Sequence, residues 1–168
     1  MSKPICIAFL LLVLVGCSPT VPEEEMETRN KKTVLDYVDT IWNSKNLNKL
    51  DTFYADQFLR IVNGIEVATD NADLAANINV LFVAFPDMQL TVDHIAGSEK
   101  SVFLNWSIVG TNTGIFGDHL ATGKKVQING VTRLDFNEEG KIFYDNVIYN
   151  ELSLLQQLGY KLEEPKVE

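Results

Sequence analysis

The chain has 168 residues, 46% of them hydrophobic and 22% charged, and carries a formal net charge of −9. That length suits one domain with a real core, and the composition excludes a chain disordered throughout. The acidity lacks the electrostatic footprint of a nucleic-acid binder and offers no polybasic attraction to anionic lipid.

Lys3 gives a positive start, residues 5–15 form an uninterrupted apolar run, and the small Gly16 precedes Cys17. This is the layout of a secretory signal over residues 1–16. The run falls short of the roughly 20 apolar residues that a membrane span needs. Leu14-Val15-Gly16-Cys17 resembles the lipobox of bacterial lipoproteins, which implies lipidation of the Cys17 thiol and a mature chain that begins there. The expected location is the bacterial cell envelope, with the membrane contacted through that lipid. Ser18 replaces the acidic residue that often retains lipoproteins at the inner membrane, so the outer membrane is expected where a cell has two. Cys6 leaves with the leader, so the remaining domain has no disulfide, no nucleophilic thiol and no thiolate metal site. His94 and His119 are too few for a multi-histidine centre, and no metal or cofactor is expected.

Residues 17–29 read as a lipidated tether: Pro19 and Pro22 favour extended backbone, and Glu23, Glu24 and Glu25 prefer water. The acidic cluster can also serve the first turn of the following helix, where negative charge suits the dipole. Over 26–43, Val34, Val38, Ile41 and Trp42, with Tyr37 beside them, recur at helical spacing. A short second helix is predicted over 47–54. Residues 58–62 suit a strand, Asn63-Gly64 a tight turn, and 65–68 the returning strand. Asp70 reads as an N-cap, Leu74, Ile78, Leu81, Phe82 and Phe85 follow at helical spacing, and Pro86 stops that helix.

Beyond Pro86 the period becomes two. Met88, Leu90 and Val92 share a strand face, and His94 continues it; Val102, Leu104, Trp106 and Ile108 line a second, longer strand. A Gly-rich loop over 110–123 leads to strands at 125–136 and 142–149, and Leu152, Leu154, Leu155 and Leu158 close the chain as a short helix. Residues 161–168 read as a tail. Helices followed by a meander of long antiparallel strands give an α+β domain over 30–160. Four long strands cannot be covered flat by so few helices, so a strongly curved sheet enclosing a cavity is expected.

Phe85-Pro86-Asp87-Met88, Thr111-Asn112-Thr113-Gly114 and Thr122-Gly123-Lys124-Lys125-Val126 resemble successive blocks of the SnoaL-like polyketide cyclase (ester cyclase) family. The segment from Glu151 to Gly159 resembles that family's close. The likeness runs from about residue 33 to 159. It implies the cone-shaped fold of nuclear transport factor 2, a curved antiparallel sheet packed on N-terminal helices, with an apolar pocket between them. It also implies intramolecular aldol chemistry without metal or cofactor, driven by a buried carboxylate. Members commonly read Glu-His-Trp-Asp in the last strand. This chain has Tyr144, Asp145, Asn146 and Val147 there, and Asn150 where a later Asp is usual, so Asp145 alone supplies a carboxylate.

Asp145 is therefore the first catalytic candidate and His94 the second. Alternation does not orient Asp145: Phe143, Asp145, Val147 and Tyr149 share one side, Ile142, Tyr144, Asn146 and Ile148 the other, and both are mixed. Trp42, Tyr54, Phe85 and Trp106 are candidate pocket aromatics that serve equally as core. Asn129 reaches a ligand if its face of the third long strand is concave, or a partner subunit if it is convex. His119 reads as a solvated loop residue. Three functions are compatible with this sequence: an anchored binder of a small hydrophobic molecule, a cofactor-free cyclase, isomerase or dehydratase, and an interaction module that pairs through its sheet, for instance as a homodimer.

Overall fold

The computed structural model describes residues 22–164. The signal segment, Cys17, the tether up to residue 21 and the end of the tail lie outside the described residues. Helix α1 (Glu23–Tyr37) starts within the stretch read as tether, and Glu23, Glu24 and Glu25 form its first turn, where their charge complements the helix dipole. It continues into a π-helical turn, Val38–Asn43. That wider turn changes the side-chain phase, so the adjacent pairs Tyr37–Val38 and Ile41–Trp42 are all buried. The Asn43 side chain then pairs with the backbone of Leu90, accepting from its N–H at 2.9 Å and donating to its C=O at 3.1 Å.

A 3-10 turn (Leu47–Lys49) and the short helix α2 (Leu50–Phe53) run directly into β1 (Tyr54–Val62), which begins four residues before the predicted strand. Asn63 and Gly64 both adopt positive φ, 51° and 85°, as a two-residue hairpin turn demands, and β2 (Ile65–Ala68) returns. Helix α3 (Asn71–Ala84) is capped by Asp70, whose carboxylate accepts from the N–H groups of Ala72 and Asp73. Strands β3 (Gln89–Gly97), β4 (Ser101–Thr111), β5 (Lys125–Phe136) and β6 (Ile142–Tyr149) form the meander, and α4 (Glu151–Leu158) follows.

The six strands make one sheet in the order β2-β1-β6-β5-β4-β3. The α+β class and the nuclear-transport-factor-2-like architecture are as expected, with one refinement. The chain crosses through α3 from the β1–β2 hairpin to the far edge and returns by the meander, so β6 meets β1 in parallel and the sheet is mixed. Val34, Ile41, Leu74, Ile78, Leu134 and Leu154 are fully buried between the helices and the sheet.

Two irregularities decide which side chains face inward. In β3, Val92 pairs with Trp106 but His94 pairs with Asn105, which leaves Asp93 as an extra residue. This bulge turns the strand's phase: Ile95 takes the inward place and His94 is exposed, contrary to the expectation from alternation. In β6 the register shifts near its start, between Asp135 and Phe136 of its partner. Ile142 is buried there and Phe143 exposed, while from Asp145 onward the odd-numbered residues point inward.

Candidate functional site

A cavity of about 310 Å³ lies between the concave face of the sheet and the helices α1, α3 and α4. Its walls are mainly apolar, with Trp42, Leu90, Trp106, Ile108, Phe116 and Val147 among them. Trp106 fits because Gly130 lies opposite it on β5: a Cβ there would stand 2.4 Å from the indole. The Trp106 Nε1–H donates to Thr132 Oγ1 at 2.9 Å, which satisfies the one polar atom of the ring. The exposed lining residues Ile65, Val80 and Glu151 mark the rim. At the other end of the sheet α1 is tied to the β3–β4 turn, where Asn30 Nδ2 donates to the Glu99 carbonyl at 2.9 Å. The chain therefore enters the domain at the end remote from the rim.

The floor of the cavity is charged. Arg60 and Asp145 are register partners on the parallel strands β1 and β6, and both side chains are almost wholly buried. Arg60 Nη1 donates to Asp145 Oδ2, and the guanidinium carbon lies 5.8 Å from the centre of the Trp42 ring, where a cation meets the negative face of the indole. Tyr54 donates to the same Oδ2 at 2.6 Å. Its hydroxyl is 3.1 Å from that of Tyr37. Since the single Tyr54 proton is committed to Asp145, Tyr37 is the donor in that second bond. Asp145 Oδ1 and Arg60 Nε are buried with no partner among the described residues.

Electrostatics follow from this geometry. Burial opposes the charge on Arg60, but Asp145, with Tyr37 and Tyr54, outweighs it and holds the guanidinium above its already high ordinary value. Burial, then the charge of Asp145, pushes Tyr54 well above the ordinary tyrosine value, and burial raises Tyr37 as well. These shifts predict an alkaline limb of stability. Unfolded tyrosines ionise near pH 10.0, while the folded pair keep its protons, so above that pH the unfolded state binds fewer protons and stability falls. The contribution is complete below that point and is lost as pH rises toward the folded values. Urea denaturation between pH 8 and 11 should show this decline, and Tyr54→Phe should flatten it; an unchanged slope in the variant would count against the assignment.

The structure brings Trp42, Trp106 and Asp145 together around the cavity. Tyr54 lies beneath the floor and reaches it through Asp145. Phe85 is core, packed on Phe116 with ring centres 5.9 Å apart. Two candidates fall away: His94 is exposed beyond its bulge, and Asn129 is exposed on the face of β5 opposite the inward Ile128 and Thr132. His119 is an exposed loop residue, as expected, and packs edge-on against Tyr160 at 5.0 Å. Arg60 and Tyr37 were not singled out from the sequence. For Arg60 a signal was present: Phe58, Arg60 and Val62 alternate, which places an arginine on an apolar strand face where it requires a buried carboxylate. Among the described residues, no three His, Cys, Asp or Glu side chains gather as a metal site would need.

Residues 32–158 match the model of the SnoaL-like polyketide cyclases. The chain belongs to that family. Similar solved structures include AclR of Streptomyces galilaeus, described as a candidate hydroxylase, at 28% identity and a TM-score of 0.72 over 83% of this chain and 91% of that one. A candidate SnoaL-like polyketide cyclase from Jannaschia sp. CCS1 aligns at 19% identity and a TM-score of 0.75, over 87% of this chain and 100% of the other. IdmH of Streptomyces antibioticus, a candidate polyketide cyclase, aligns at 20% identity and 0.67, over 78% and 99%. The last two establish likeness of fold alone. No curated protein matches the sequence.

Proposed function

We propose that the domain binds one small, largely apolar molecule in the cavity between its sheet and helices. The observation that carries this reading is the cavity of about 310 Å³, walled by Trp42, Leu90, Trp106 and Ile108 and floored by Arg60 and Asp145. That size lies at the lower end of ligand pockets, roughly 300–1,000 Å³. A thermal-shift screen of small hydrophobic compounds tests it: a binder raises the melting temperature by linkage, about 2.7 kcal/mol at a hundredfold excess over Kd. The bound compound should also change Trp106 fluorescence, and Trp106→Ala should weaken binding by more than it disturbs the fold. A screen without binders, together with a crystal structure in which side chains fill the cavity, would leave an interaction module as the reading.

A second reading is cofactor-free acid–base conversion of the cyclase type. Family membership favours it, as does the unpartnered Oδ1 of Asp145. In this reading Oδ1 takes a proton from a carbon or hydroxyl of the substrate, while Arg60 balances the carboxylate charge. The variant Asp145→Asn, compared where its melting curve shows it folded, separates the two: a binder still takes up its ligand, whereas an acid–base enzyme loses roughly two to four powers of ten in rate.

We further propose that the domain is held at the bacterial envelope by a lipid on Cys17. The support is the apolar run that ends in Leu14-Val15-Gly16-Cys17; among the described residues no helix is long and apolar enough to cross a membrane. Cys17→Ser should abolish fatty-acid labelling.

A further inference from the structure

The cavity mouth and the chain's point of entry lie at opposite ends of the sheet. Glu23 and Glu24, at the start of α1, stand beside Ser98, Glu99 and Lys100 of the β3–β4 turn. Further along α1, Arg29 lies against the β5–β6 turn, where a Cβ on Gly140 would stand 3.1 Å from its guanidinium. Lys141 of the same turn donates to the carbonyls of Asp51 and Thr52, just before β1. These turns form the base of the domain. From that base β1 starts at Tyr54, opposite Ile142, and it delivers Asn63 beside Val147 and Tyr149 at the far end of β6. There Asn63, Ile65 and Val80 line the mouth. The nine residues of β1, at about 3.3 Å each, set base and mouth roughly 30 Å apart.

Cys17 and Pro22 are five positions apart, and a stretch of that length, fully extended, reaches at most about 18 Å. A lipid on Cys17 therefore cannot reach round to the mouth, and it draws the base toward the membrane. The base is also acidic. Glu23, Glu24, Glu25, Glu138 and Glu139 are exposed there, while Lys31 is paired with Glu27 and Lys100 with Glu99. Anionic headgroups repel such a surface, so the base meets the bilayer without sinking into it. The side chains suited to enter a bilayer, Ile65 and Val80, are 67% and 46% exposed and stand at the other end. We infer that the anchored domain holds its base toward the membrane and its cavity mouth away from it, so that the cavity opens to the aqueous compartment. A ligand then arrives through water and not laterally from the bilayer. This rests on the lipid at Cys17 proposed above.

Once Cys6 has left with the leader, Cys17 is the only cysteine of the chain, and its thiol carries the lipid. Cysteines introduced as Glu138→Cys at the base, and as Ile65→Cys or Val80→Cys at the mouth, can then each take a fluorescent donor. The lipidated proteins are placed in vesicles of phosphatidylcholine and phosphatidylglycerol that contain a lipid-linked acceptor. Energy transfer should be several times stronger from the base label than from either mouth label. Iodide in the water should quench both mouth labels as strongly on vesicles as in detergent. Mouth labels that transfer as strongly as the base label, or that vesicles shield from iodide, overturn the orientation and leave the anchor standing. A protein that carries no fatty acid and does not bind vesicles overturns the anchor and this inference with it. Neither measurement needs a bound ligand, so both are independent of the binding reading.

Discussion

Arg60→Met alone is expected to lower stability by about 3–5 kcal/mol, and Asp145→Leu alone by a similar amount. Each removes one member of an ion pair whose side chains are 5% and 1% exposed, and each leaves a buried charge that water cannot reach. Tyr54 cannot rescue either case. Beside a lone Asp145 it still donates to one oxygen only, and beside a lone Arg60 it loses its acceptor. The double variant removes both charges and fills the space with apolar side chains, so it should lose far less than the sum and can approach wild-type stability. Urea denaturation of the four proteins gives a double-mutant cycle, and a coupling of several kcal/mol is the expected result. Additive losses would mean that the two side chains are not a pair in solution. A double variant that folds well also separates the two roles of the floor, because any binding it fails to support was never a matter of stability.

Much of this architecture is legible in the sequence because each element carries its own period. The apolar spacing through α1 and α3, the Asn63-Gly64 turn and the alternation of Val102 to Ile108 in β4 each point to one local structure. What escapes is whatever depends on a one-residue change of phase or on a partner far along the chain. His94 continues the face of Leu90 and Val92 until the bulge at Asp93, and nothing in Thr91-Val92-Asp93-His94 marks that bulge. The π-helical turn likewise buries Tyr37 and Val38 side by side, which a 3.6-residue period does not anticipate. The two faces of residues 142–149 look equally mixed because the register shift near Ile142 exchanges them part-way along the strand. Asp145 could therefore be named but not oriented. Its partner Arg60 sits 85 residues earlier in the chain, and their meeting depends on the parallel join of β1 and β6, which strand order alone reveals. Tyr54 could be seen as an aromatic, but its role as a hydrogen-bond donor emerges only once α2 delivers it beneath that join.

Asn112→Ala should lower stability by about 3–4 kcal/mol through the loss of several buried hydrogen bonds. Asn112 is buried where β4 gives way to the loop that carries Phe116 to the cavity wall. Its Nδ2 donates to the carbonyl of Ala84 at 3.2 Å and to that of Gly114 at 2.9 Å. Its Oδ1 accepts from the N–H of Thr122 at 2.8 Å and from the Thr122 hydroxyl at 2.9 Å. One side chain thus closes the loop at both ends and satisfies a carbonyl that the end of α3 leaves without a helical partner. Gly114 completes the joint: its N–H also donates to Ala84, and a Cβ on it would lie 1.9 Å from the carbonyl oxygen of Val83. No side chain fits without moving the loop away from α3, so Gly114→Ala should loosen the loop as Asn112→Ala does, by displacement instead of by lost bonds. Both variants should become sensitive to protease between residues 114 and 123 while β4 and β5 keep their hydrogen-exchange protection. Because Phe116 rides on this loop, both should also lose affinity for any cavity ligand by more than the exposed-loop change His119→Ala does. Intact loops with unchanged proteolysis would show that Asn112 stabilises β4 alone and has no part in shaping the cavity wall.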